Sequence, residues 1–197
     1  MDAAMERRAE KRVCPPGDAV LAFALWPSVP AVSPRLFLSV LGPPLAKGPA
    51  GHGLELADIT ARGLGLHVRA EPGVLERLAA SPALYVYLKL RDYRPQAPAE
   101  VLSLFFHALT AHAVSQPDGL ALGLRLSHQG WGSVHEKALE LLDVSRFGVP
   151  ELVAWIDALA RNMALPRRTA CPGIDLDHLL DEPECVPVAS PAQGNPS

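Results

Sequence analysis

The stretch 83–91 (ALYVYLKLR) constrains the fold most, because its chemistry alternates residue by residue. In an extended chain Leu84, Val86, Leu88 and Leu90 fall on one side, and Tyr85, Tyr87, Lys89 and Arg91 on the other. The pattern returns at 119–127, where Leu120, Leu122, Leu124 and Leu126 share a side. Strands that are apolar on one face imply packing against that face alone. The expected fold class is therefore α/β (α+β): a two-layer sandwich with a mixed or antiparallel sheet and helices on one face. A doubly wound sheet fits less well, because its central strands are apolar on both faces.

The other elements fill in around these strands. The run 19–26 (AVLAFALW), stopped by Pro27, reads as a buried strand, and 35–41 (RLFLSVL) as a second. Residues 54–58 and 64–69 make a strand pair around a turn at 60–63. Helices are expected at 72–80, 98–116, 133–143 and 150–163. The second has Pro98 at its first turn and Leu102, Phe105, Phe106, Leu109 and Ala113 as its apolar stripe. The third opens on Ser133–Glu136 (SVHE), which matches a capping box. The loop 42–53 carries Lys47 but lacks the spacing of a phosphate loop.

A length of 197 residues suits one domain with tails. We expect a polar lead over 1–18, a single α/β domain over 19–166 and a Pro- and acid-rich tail over 167–197, much of it disordered. Apolar residues make up 49% and charged residues 20%, enough for a packed core. The net charge of −3 argues against nucleic acid as a general partner. Three cysteines, Cys14, Cys171 and Cys185, are too scattered for a disulfide framework. The basic lead and the run 19–26 are in signal-peptide order, but 15–18 (PPGD) divides them, and the run is read as a strand. No apolar run reaches the ~20 residues of a membrane helix, so a soluble, cytoplasmic protein is expected. The dominance of Ala, Leu, Pro, Gly and Arg suggests a GC-rich bacterial genome.

Two surfaces are candidates for function. One is the polar sheet face: Tyr85, Tyr87, Lys89 and Arg91, with His67 and Arg69 from the earlier strand. Cations mixed with tyrosines suit a protein partner or an anion. The other is the segment 127–132 (SHQGWG), read as a strand-to-helix loop, where His128 and Trp131 stand near Arg125. There His128 could serve as general acid or base, since histidine titrates near ~6.5. No catalytic set, metal site or cofactor is assigned. His107 and His112 are spaced five apart on the expected helix, the wrong spacing for a shared metal. The acidic tail cluster of Cys171, Asp175, Asp177, His178 and Cys185 lacks paired ligand spacing. The resulting expectation is a non-enzymatic interaction domain, of accessory, adaptor or immunity type, with a protein partner or self-association. The alternative is a small enzyme or ligand-binding protein using His128 and Arg125.

Overall fold

In the computed structural model, residues 12–48, 53–93, 100–133 and 137–161 are described. Nine strands join in one antiparallel sheet: β1 (Val20–Ser28), β2 (Arg35–Phe37), β3 (Ala46–Gly48), β4 (Leu54–Ile59), β5 (Gly63–Val68), β6 (Ala83–Arg91), β7 (Val101–Gln116), β8 (Gly119–Ser133) and β9 (Ala138–Asp143). Two α-helices accompany them among the described residues, α1 (Pro72–Ala80) and α2 (Pro150–Ala160). The strand order is β2-β9-β8-β7-β6-β1-β3, with β4 and β5 attached to β8. The sheet curls into a half-barrel. The two-layer sandwich expected from sequence is thereby corrected.

The largest single correction is at 98–116. In place of a helix, β7 runs as a strand through Val101–Gln116 and pairs with β6 at nine positions, from Ala83↔Leu109 to Arg91↔Val101. The cause is burial on both faces. Leu102, Leu104, Phe106 and Ala108 enter a first core, while Phe105 enters a second core on the opposite face. A strand buried on both sides loses its two-residue hydrophobic period, and the leftover apolar positions then imitate a helical stripe. Pro98, which favoured the helix, lies outside the described residues.

The second correction is at 133–143, where β9 replaces the expected helix. It pairs with β8 over six positions and with β2 over three. Strand pairing and the burial of Ala138, Leu139 and Leu141 outweigh the local capping signal. It follows that 127–132 is no loop but the interior of β8. Smaller revisions concern 35–41, which is the short β2 followed by a 3-10 turn at Leu38–Val40, and 42–53, which contains β3. The expected strands at 19–26, 54–58, 64–69 and 83–91 and the helices at 72–80 and 150–163 appear within a few residues of their bounds.

The first core gathers Phe23 and Leu25 of β1, the leucine side of β6, the inner side of β5 and β8, and Leu152, Trp155 and Ile156 of α2. The second lies on the other face, where Ala24, Trp26, Tyr87, Phe105, Leu139 and Leu141 meet Leu36 and Leu38. The cover here is the segment between β1 and β3. Trp26 Nε1 donates to the Gly42 carbonyl at 2.9 Å, where Gly42 adopts a left-handed φ of 61°. The face expected to be solvated is thus closed over its centre, and Tyr87 is 1% exposed.

Candidate ligand groove

The groove arises where β8 changes partner. Its first half pairs with β5, from Gly63↔Arg125 to Val68↔Leu120, and its second half pairs with β9 from His128↔Asp143 onward. The junction is stitched by the turn between β4 and β5. The Leu126 amide donates to the Arg62 carbonyl at 2.8 Å, and the Val149 amide to the Ala61 carbonyl at 2.9 Å. The turn itself is closed by the Thr60 amide on the Gly63 carbonyl at 2.9 Å, and Thr60 Oγ1 accepts from the Arg62 amide at 3.2 Å. These bonds fix the backbone that presents Arg62.

The register then builds a floor with few side chains. Asp58, Gly65, Gly123 and His112 form one row across β4, β5, β8 and β7, with Gly63 and Arg125 in the next row on the same face. Glycine inside a strand marks a close approach. A Cβ on Gly65 would stand 2.6 Å from Asp58 Oδ2, one on Gly63 3.0 Å from the Leu124 carbonyl oxygen, and one on Gly123 would collide with the His112 ring. Around this floor lies a groove of about 490 Å³ lined by Arg12, Arg62 and Arg125, with Asp58, Thr60, His112 and Ser145 among its other walls. Arg12 is brought in by the bridge between Val13 and Ile59, and its Nε lies 3.4 Å from Asp58 Oδ1. Three guanidinium groups and one carboxylate line the groove, and the guanidinium donor forks suit an anion with several oxygens.

Of the residues singled out from sequence, the groove takes one, Arg125. His67 sits farther along β5 and Arg69 just past its end, where His67 Nε2 lies 3.5 Å and Arg69 Nη2 3.4 Å from the carboxylate of Asp118. Tyr85, Lys89 and Arg91 lie on β6, which does not pair with β5; Lys89 is half-buried and Arg91 exposed. Trp131 is exposed on the opposite face of β8 from His128, three residues away in an extended strand. Sequence reasoning missed Arg12, Arg62, Asp58 and His112. The available signal was glycine inside strand patterns at 63, 65 and 123.

His128 belongs instead to a buried polar row. His107 Nδ1 lies 2.6 Å from Ser127 Oγ and Nε2 lies 2.9 Å from the Val29 carbonyl oxygen, while His128 Nδ1 lies 3.1 Å from the same Ser127 Oγ. A carbonyl only accepts, so Nε2 of His107 carries the hydrogen. Burial pushes the pKa of His107 down, the Val29 hydrogen bond opposes this, and the neighbouring His128 adds to the lowering. Tyr85 packs edge-on to His107, ring centres 5.3 Å apart. The His107 carbonyl oxygen, 3.0 Å from Ser127 Oγ, competes with His107 Nδ1 for the single hydroxyl hydrogen. This row pins the β1–β2 segment to the sheet through Val29. Among the described residues no three His, Cys, Asp or Glu side chains gather as metal ligands, and no helix is long and apolar enough to cross a membrane. The cluster at 171–185 lies outside the described residues.

No family model and no curated protein matches this sequence. Among solved structures, the chain is similar to the Bacillus subtilis inhibitor of motility (MotI/DgrA), with 12% identity and a TM-score of 0.39. That likeness covers 80% of this chain and 52% of the other, so the chain spans about half the length of that protein.

Proposed function

We propose that the chain is a non-enzymatic binding module that holds a phosphate-bearing small ligand of nucleotide size in the groove. The observation that carries this reading is the glycine floor ringed by Arg12, Arg62 and Arg125. The glycines leave room for the Asp58 carboxylate and the His112 ring to lie across the floor, and the guanidinium forks around it match phosphate oxygens two at a time. The volume suits a small-molecule site, which usually spans ~300–1,000 Å³. Calorimetric titration of the full chain with pyrophosphate, nucleoside mono-, di- and triphosphates, and cyclic mono- and dinucleotides tests it. One of these classes binds one to one, and Arg62→Ala or Arg125→Ala each weakens it at least ~10-fold, the loss of about 1.4 kcal/mol. Absence of binding across the panel removes the reading.

A second reading, a protein-interaction domain, is favoured by one observation. Phe147, in the loop between β9 and α2, is 82% exposed with the Arg146 guanidinium 5.2 Å from its ring centre. Phe147→Ser then abolishes co-purification of a partner without lowering the melting temperature. Equal retention by both proteins counts against it.

A further inference from the structure

The loop between β9 and α2 contributes Ser145 to the groove wall, and it is also tied to the turn that presents Arg62. The Val144 amide donates to the Ser127 carbonyl at 2.9 Å, and the Gly148 amide to the Val144 carbonyl at 2.8 Å. The next residue, Val149, donates to the Ala61 carbonyl and leads into α2, whose Leu152, Trp155 and Ile156 are part of the first core. The turn at 60–63 is therefore braced by a buried helix as well as by β8.

Gly148 is where this brace meets Arg62. It adopts a left-handed φ of 75°, and a Cβ there would stand 2.8 Å from the Ala61 carbonyl oxygen and 3.0 Å from Arg62 Cγ. Backbone conformation and space both call for glycine. Arg62 Cγ is the first side-chain atom beyond Cβ, so the torsion that seats it on Gly148 aims the rest of the side chain. An exposed arginine otherwise carries large rotamer freedom, which binding must remove. We propose, resting on the reading of the groove as a phosphate site, that Gly148 is a positioning residue for it. Lacking a side chain, Gly148 gives the Arg62 stem a seat and so sets where the guanidinium meets phosphate oxygens. Gly148 is not among the described residues that line the groove, so its effect on binding passes through the turn.

Calorimetric titration of the full chain tests this role, with whichever of pyrophosphate, the nucleoside phosphates and the cyclic nucleotides binds the wild type most tightly. Gly148→Ala weakens that probe at least ~5-fold, a coupling of the size found between residues in contact. In the Arg62→Ala background the same change weakens it less than ~2-fold, while in the Arg125→Ala background the full loss remains. Gly148→Asn gives the same pattern with less backbone strain, since asparagine tolerates the left-handed region, and it stands in if the alanine variant fails to fold. Gly42→Ala controls for strain alone. Gly42 is also left-handed, at φ 61°, but a Cβ there meets nothing within 4 Å. That variant lowers the melting temperature and leaves affinity unchanged. Unchanged affinity in both Gly148 variants overturns the proposal and leaves the groove reading standing. So does a loss that persists in full in the Arg62→Ala background, or an equal loss in Gly42→Ala, since either marks a general loosening of the fold. A panel with no binder overturns the groove reading and this role with it.

Discussion

The two halves of the β7–β8 hairpin use the same kind of strand for opposite ends. At its base, Phe105, Phe106, Leu126 and their neighbours are held between β6 and β9 with a core on each face. At its tip, the strands keep Leu120, Leu122 and Leu124 against the first core but turn Gly123, Arg125 and His112 toward the groove. The base buries side chains on both sides and gains stability. The tip gives up side chains at its glycines, over which Asp58 and His112 lie, and leaves cations exposed at the groove, which costs stability. Stability and binding should therefore separate along one hairpin.

The largest expected effect belongs to the base. Phe106→Ala lowers unfolding free energy by about 3–5 kcal/mol through lost burial and the cavity left behind, measured by urea denaturation. Arg125→Ala at the tip changes it by less than about 0.5 kcal/mol. Comparable losses at the two positions would break the comparison. Tyr87 sharpens it. As a solvated residue it would be cheap to remove, but buried in the second core its change to Ala costs about 3 kcal/mol or more. Tyr87→Phe costs far less, about 1 kcal/mol, because the ring stays packed while the hydroxyl loses its contact with Ser103 at 3.4 Å.

The base also carries the pH response. An unfolded histidine titrates near 6.5, and His107 titrates lower when folded because it is buried. Between those two values the unfolded chain holds a proton that the folded chain refuses. Stability is thus complete above pH 6.5 and falls as the pH drops below it. The wild-type melting temperature falls more steeply between pH 7 and 5 than that of His107→Gln. Equal slopes would remove His107 as the source. The smallest effect on stability is expected for Gly123→Ala, where the new methyl displaces the exposed His112 ring and narrows the floor. Its melting temperature stays close to wild type, and ligand affinity falls.

The comparison also accounts for what the sequence shows. Period two was legible at 83–91 and 119–127 because one side of each contains only leucine and valine. Even there it implied a solvated opposite face, which the β1–β3 segment covers over Tyr87 through contacts distant in sequence. At 101–116 the second core erased the alternation, and at 138–143 a capping box outweighed a strand that pairs with the preceding β8 and with the distant β2. The groove was legible only in Arg125. Arg12, Arg62, Asp58 and His112 are scattered over a hundred positions, and only the register of β4, β5, β8 and β7 draws them together.

The central claim is that the tip of the hairpin, and not its base, is the binding site. Amide hydrogen exchange of the full chain, with and without the tightest phosphate ligand of the panel, tests it most directly. The account predicts added protection confined to residues 58–65 and 121–126, lost in the Arg62→Ala, Arg125→Ala double variant. Protection centred on 83–91 or 127–132, unchanged in that variant, would contradict it.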